Sequence, residues 1–334
     1  MITKYLNLDN MYTGAFAYID VLGFSNAVRK EVSDAVSIIA QIDTVLQIKY
    51  GDGVMRKERK SANCSSDPIV DRLALNNEIT AFDYFYCISD SIFLVGKDVN
   101  QFIKHLANFV LACYTWSVTP EPGLQQILLL RGGISYGELR FMELICGSQN
   151  KVKSNTSVCG KPVVNAVEYE KKFGLKGPRL ILDSDVYEKL DADIRRNYIS
   201  KLNLDIKITE RKEYYEILWP AFNFIPENFG KVNEIKNMDE LLSIAYSQYA
   251  TYKSNSTIME HYNSLIELIL RSARHIFLQY KRLIEFESHI TEVTDKLDTK
   301  KKIRYKYLPA EFYGDVEFRQ YLKKIYENIV PNKS

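Results

Sequence analysis

Hydrophobic and polar positions alternate, then condense, along Thr13-Gly14-Ala15-Phe16-Ala17-Tyr18-Ile19-Asp20-Val21, a run that predicts a strand over 13–21. Behind it Val28, Val32, Val36, Ile39, Ile42 and Val45 recur at steps of three and four, which predicts a long helix over 26–48. The polar stretch 51–77, with Gly51-Asp52-Gly53 and Ser65-Ser66-Asp67-Pro68, reads as an insertion or mobile loop. Two short apolar runs, 82–88 and 91–96, are separated only by Ser89-Asp90 and predict a tight hairpin. An amphipathic pattern over 99–117 predicts a helix, and Pro120 and Pro122 end that region. A strand over 126–131 follows, then Gly132-Gly133 as a turn and further extended chain. Residues 162–173 read as a helix, and 178–182 and 213–219 as strands.

After about Phe224 the strand signals vanish. Helical patterns run over 238–253, 257–291 and 315–329, and Leu241, Leu242, Ile244, Leu265, Ile266, Ile269 and Ile276 fit a packed helix pair. The division expected is an α+β domain over 1–224 and a helical C-terminal extension over 225–334, with core or dimer contact as the extension's role.

Composition narrows the function. The 334 residues are 46% hydrophobic and 26% charged, as in a globular protein with a substantial core. A net charge of +2, from 44 basic and 42 acidic residues, gives no bulk electrostatic case for nucleic acid or an anionic membrane. The basic runs Arg56-Lys57-Glu58-Arg59-Lys60 and Lys300-Lys301-Lys302-Ile303-Arg304 read as solvated faces. Cys64, Cys87, Cys113, Cys146 and Cys159 are odd in number and irregularly spaced, which indicates neither a disulfide framework nor a zinc site. No signal pattern opens the chain and no apolar run is long enough to span a bilayer, so a reducing cytoplasm is the expected compartment. His105, His261, His275 and His289 are scattered through helical patterns and do not suggest a catalytic triad.

Two carboxylates stand out by position: Asp20 ends the first strand and Asp90 sits in the hairpin turn. If those strands are neighbours, both side chains point at one spot, where two unpaired carboxylates repel. A divalent cation removes that cost. Mg²⁺ takes one or two carboxylates and completes its shell from water and substrate phosphates.

Taken in order, AFAYIDVLGFS, YCISDSIFLV, LLLRGGISYGEL and VCGKPVVNAVEYEK resemble the catalytic domain of class III nucleotide cyclases over about residues 13–220. The residues that carry the resemblance are Asp20, Gly23 and Phe24; Asp90; and Arg131, Gly133, Ile134 and Gly137. It implies a ferredoxin-like α+β sandwich, an antiparallel sheet with helices, that works as a homodimer with active sites between the protomers. It also implies two divalent cations, Mn²⁺ or Mg²⁺, held by Asp20, the backbone carbonyl of Val21 and Asp90, with Gly23, Phe24 and Arg131 at the nucleotide. Ser89 stands where the family has glycine in the hairpin. In the fourth block, alignment from Gly160 matches Ala166 and Glu170 but puts Val164 and Glu168 at the family's asparagine and arginine positions. A shift of one residue recovers Asn165 and places Tyr169 at the arginine position. The arginine is absent in both registers, leaving Arg131, Lys161 and Lys172 as candidate cations.

At the positions that select the base in purine cyclases stand Tyr86 and Ser157. A tyrosine cannot supply the charged base contact of those enzymes and fills room a second base ring needs; it also reads as an ordinary strand aromatic. With the helical extension, these features resemble the pyrimidine cyclases of bacterial Pycsar anti-phage defence. That resemblance implies conversion of UTP to cyclic UMP, or of CTP to cyclic CMP, and a separate effector protein that responds to the product. Two other readings stand beside it: a degenerate cyclase domain that binds without turnover, and another two-metal phosphoryl-transfer enzyme on a similar sheet.

Overall fold

The computed structural model describes residues 3–6, 11–50, 82–115, 127–148, 151–172, 174–202, 213–224, 234–294, 312 and 315–330. The polar stretch 51–77, both basic runs, Cys64, Pro120 and Pro122 lie outside the described residues, and so does the Cys146 side chain.

The first strands are β1 (Thr3–Leu6) and β2 (Met11–Val21). Helices α1 (Phe24–Lys30) and α2 (Val32–Tyr50) follow, then the hairpin of β3 (Tyr84–Ile88) and β4 (Ser91–Gly96), and helix α3 (Val99–Thr115). Next come β5 (Leu130–Ser148), β6 (Lys151–Cys159), α4 (Lys161–Lys172) and β7 (Leu180–Asp183). Two short helices, α5 (Ser184–Tyr187) and α6 (Ala192–Tyr198), precede β8 (Ile199–Lys201), β9 (Tyr214–Ile217) and a 3₁₀ turn, Trp219–Asn223. The extension holds α7 (Glu234–Tyr252), α8 (Ser256–Gln279), α9 (Leu283–Thr294) and α10 (Val316–Ile329).

Among the described residues the strands form one sheet in the order β3-β4-β2-β5-β7-β9-β8, with β1 and β6 also paired to β5. Its first four strands, β2, β3, β4 and β5, are all antiparallel and joined in βαββαβ fashion, the ferredoxin-like order. The β5–β7 ladder is parallel, so the sheet as a whole is mixed. An α+β sandwich followed by helices is therefore present as the sequence implies.

The alternation of β2 divides its side chains between two layers. Ala15, Ala17, Ile19 and Val21 join one large cluster with Ile42 of α2, Phe102 of α3 and Leu265 of α8. Phe16 enters a smaller cluster with Val95, Leu139 and Ala166, beneath α4. The extension is tied to this core by polar contacts as well: the buried Tyr114 hydroxyl donates to the Leu241 carbonyl at 2.9 Å. No helix among the described residues is long and apolar enough to cross a membrane.

Three element expectations change. The helix expected over 26–48 is two, because Glu31 between them is extended. The helix expected over 257–291 is likewise two, broken around Lys281 at φ 58°. Most consequentially, Gly132-Gly133 is no turn: β5 passes straight through it. A Cβ on Gly133 would lie 2.1 Å from the Ala166 carbonyl oxygen of α4, so the missing side chain lets helix and strand backbones touch.

Candidate functional site

Asp20 occupies the last rungs of β2, opposite Ser91 on one side and Arg131 on the other. The β3–β4 turn folds against the same strand end, and the Val21 N–H donates to the Asp90 carbonyl at 3.2 Å. Strand pairing and a two-residue turn thus make Asp20 and Asp90 neighbours along the backbone, close enough for the Asp90 charge to act on Asp20. Ser89 enters that turn with φ 59°, a conformation glycine adopts with least strain.

Arg131 answers the charge. Its Nε and Nη2 each lie 3.1 Å from Asp20 Oδ2. Burial still pushes the Asp20 carboxyl above its usual value; Arg131 opposes this, Asp90 adds to it, and Lys171 opposes it more weakly. Desolvation therefore outweighs the two cations, Arg131 and Lys171, that act on Asp20. Among the described residues no three His, Cys, Asp or Glu side chains converge as a metal cage. The hard oxygen pair fits the alternative that Mg²⁺ favours, in which the protein supplies one or two carboxylates and phosphate and water supply the rest.

The remaining predicted positions are distributed. Gly23, at φ 85°, caps α1, its carbonyl accepting from Asn26 and Ala27. Phe24 is buried in the main core, so its backbone rather than its ring is left for a ligand. Tyr86 pairs with Phe93 across the hairpin, two rungs before the turn; its side chain lies outside the described residues. Ser157 pairs with Met142, eleven strand positions along β5 from Arg131, and one chain does not bring it to the carboxylates.

Helix α4 fixes the fourth block. Asn165 Nδ2 donates to Ser135 Oγ at 3.2 Å, Ser135 to Asp183 at 3.2 Å, and the Tyr169 hydroxyl to Asp183 at 2.8 Å. Asp183 is fully buried and also caps α5 through the Val186 N–H. Asn165, Ala166 and Tyr169 thus face the sheet, while Val164 is 58% exposed. Of the candidate cations, Lys161 stands at the start of α4. There it lines a cavity of about 400 Å³ with Tyr136, Gly137, Arg140, Cys159 and Gly160. The Lys172 side chain lies outside the described residues. Lys171, which sequence reasoning missed, is the α4 cation whose charge reaches Asp20. Nothing local marks it. The path of α4 along β5, from Pro162 over Gly137 to Ala166 over Gly133, carries its last turn toward Arg131.

Comparison with family models and with curated proteins returns no match. Among solved structures the chain is similar to the guanylyl cyclase Cya2, at 16% identity over 62% of this chain and 92% of that one, with a TM-score of 0.37. It is similar to the adenylyl cyclase CyaB from P. aeruginosa at 11% identity, over 65% and 96% of the two chains, TM-score 0.38. The guanylate cyclase domain of RhGC from Catenaria anguillulae, in complex with GTP, gives 15% identity over 62% and 97%, TM-score 0.38. Identities and scores are low, and neither substrate nor residue roles carry over from those proteins.

Proposed function

We propose that the chain is a metal-dependent pyrimidine nucleotide cyclase of the class III kind, acting as a cytoplasmic homodimer. It converts UTP to cyclic UMP and pyrophosphate; CTP to cyclic CMP is the alternative. The observation that carries this reading is the convergence of Asp20 and Asp90 at the shared end of β2 and the β3–β4 hairpin, where Asp20 is half-buried beside Arg131. Tyr86, at the base-selecting position, supports the pyrimidine assignment. The product would serve as a messenger to a separate effector protein in anti-phage defence.

The bond formed joins the ribose 3′-oxygen to the α-phosphorus; the bond broken releases pyrophosphate, and the hydroxyl proton passes to water. Asp20, the Val21 carbonyl and Asp90 would hold two Mn²⁺ or Mg²⁺ ions. When bound, such ions lower the hydroxyl pKa and neutralise the leaving phosphate. Arg131 keeps the Asp20 carboxylate oriented and places a permanent cation beside the phosphates, and Lys171 adds a second positive field.

A nucleotide-binding chain without turnover is the second reading. It is favoured by the Arg131–Asp20 ion pair and by the absence, in either register of the fourth block, of the family's arginine. Incubation with ATP, GTP, CTP and UTP and either metal, with mass spectrometry of products, separates the two. Cyclic UMP or cyclic CMP is expected, reduced about 100-fold or more in Asp20→Asn and Asp90→Asn. The folded state raises the Asp20 pKa, so its charged form costs stability once pH passes that value, and Asp20→Asn should melt no lower than wild type. A purine product, or turnover that survives both substitutions, overturns the assignment. Metal-dependent nucleotide binding with no product selects the second reading.

A further inference from the structure

The helical extension reaches the candidate site through a chain of hydrogen bonds. His261 of α8 accepts the Gly177 N–H at Nδ1, 3.1 Å away. The Gly177 carbonyl accepts the Arg179 N–H at 3.0 Å, and the Arg179 carbonyl accepts the Gly132 N–H at 2.9 Å. Gly132 is the residue after Arg131, whose guanidinium holds Asp20. The segment between α4 and β7 is thus gripped on both sides, by α8 and by β5.

The grip is built for close fit. Gly177 has φ 85°, and a Cβ there would lie 2.4 Å from Ser264 Cβ of α8. Trp219 Nε1 donates to the Pro178 carbonyl at 2.8 Å, and Lys176 pairs with Glu260 at 3.5 Å. Arg179 pairs with the buried Glu216 at 3.3 Å and with Glu267 of α8 at 3.5 Å.

We propose that His261 is a positioning residue for the candidate active site, which it serves by holding the 176–179 segment and, through Gly132, the start of β5 that carries Arg131. The neutral imidazole is the working form, since only a bare Nδ1 accepts the Gly177 N–H. The charged groups that face it are Lys176 in the gripped segment, Arg131 on β5 and Glu260 on its own helix. Burial first, then Lys176 and Arg131, lower its pKa, with Glu260 opposing. Protonation therefore removes the acceptor and sets a new cation beside two others, so acid releases the segment.

The activity arm of the test rests on the cyclase reading; the exchange arm does not. Amide hydrogen exchange of the full chain is followed in peptides covering 129–135 and 174–180, for wild type, His261→Asn and His261→Leu, at about pH 7.5 and about pH 5.5. Asparagine offers an acceptor that does not titrate, and leucine offers none. His261→Leu should exchange about tenfold faster in both peptides at the higher pH, with β4 unchanged, and His261→Asn should restore protection. Wild type should lose protection in both peptides at the lower pH, and His261→Asn should keep it. In nucleotide turnover the acid limb of the pH profile should lie at lower pH in His261→Asn than in wild type, leaving the part that protonation of Asp20 sets. Faster exchange confined to 174–180, or a wild-type acid response shared by His261→Asn, overturns the proposal. Should His261→Leu fail to fold, the comparison of wild type with His261→Asn across pH still decides. Should no nucleotide be cyclised, the cyclase reading fails and the exchange arm alone decides the positioning role.

Discussion

Ser89 shows how a single backbone angle shapes the candidate site. The first turn residue of the β3–β4 hairpin needs positive φ, and a serine there holds Asp90 in place at the expense of strain. Ser89→Gly should raise stability by about 0.5–1 kcal/mol, part of the relief being lost to glycine's freer unfolded chain. Thermal melting checks it, and a lower melting temperature contradicts the strain argument. At this scale much was legible: Asp20, Asp90 and the hairpin between β3 and β4 follow from apolar spacing and one polar turn. Lys171 and His261 were illegible, because their neighbours come from elements far away in sequence. That Asn165 turns inward to Ser135 was equally illegible, because Ser135 lies thirty residues away in sequence.

At the scale of elements, buried charge fastens the extension to the sheet. Glu216 of β9 is fully buried and meets Arg179 at 3.3 Å and Arg271 of α8 at 2.9 Å. Removing the carboxylate leaves two guanidinium groups in a poorly solvated place with only the partly exposed Glu267, 3.5 and 3.6 Å away, between them. Glu216→Ala should cost about 3–5 kcal/mol in urea unfolding; a loss below about 1 kcal/mol would show that solvent screens the arginines. None of this network was visible in sequence, since ion pairs across elements leave no periodicity. The glycine pair in β5 misled for a related reason: Gly132-Gly133 has the composition of a turn, but α4 lying on the strand is what calls for it. Strands β1 and β6 were missed because β6 in particular, Lys-Val-Lys-Ser-Asn-Thr-Ser-Val-Cys, is mostly polar and borrows its order from β5.

For the molecule as a whole, α8 carries two histidines, one on the 176–179 segment and one on the last turn of α6, that respond to acid in the same sense. Burial lowers the pKa of both His261 and His275; the Arg196 carbonyl, accepting from His275, opposes this, and Arg271 adds to it. Folded values below the unfolded one, about 6.5, mean that their contribution is complete above that pH and lost as pH falls through the folded values. The melting temperature should therefore fall by roughly a few degrees between about pH 7 and about pH 5. The raised carboxyls of Asp20 and Asp239 act in the opposite direction, so His261→Asn with His275→Gln should flatten or invert the trend. An unchanged acid response in that double variant would exclude the imidazoles.

The seat of α4 on Gly133 has one more consequence, for how this protein tolerates change over generations. Its inner side, with Asn165, Ala166 and Tyr169, is locked by a strand that has no side chain at Gly133, by Ser135 and by Asp183. Its outer side, where Val164 stands, answers to no such lock. Substitutions can accumulate there without loosening the helix, so the chemistry offered to a ligand or a second protomer can drift while the scaffold stays fixed. Val164 stands on a surface free to be rewritten, carried by a fold that is not.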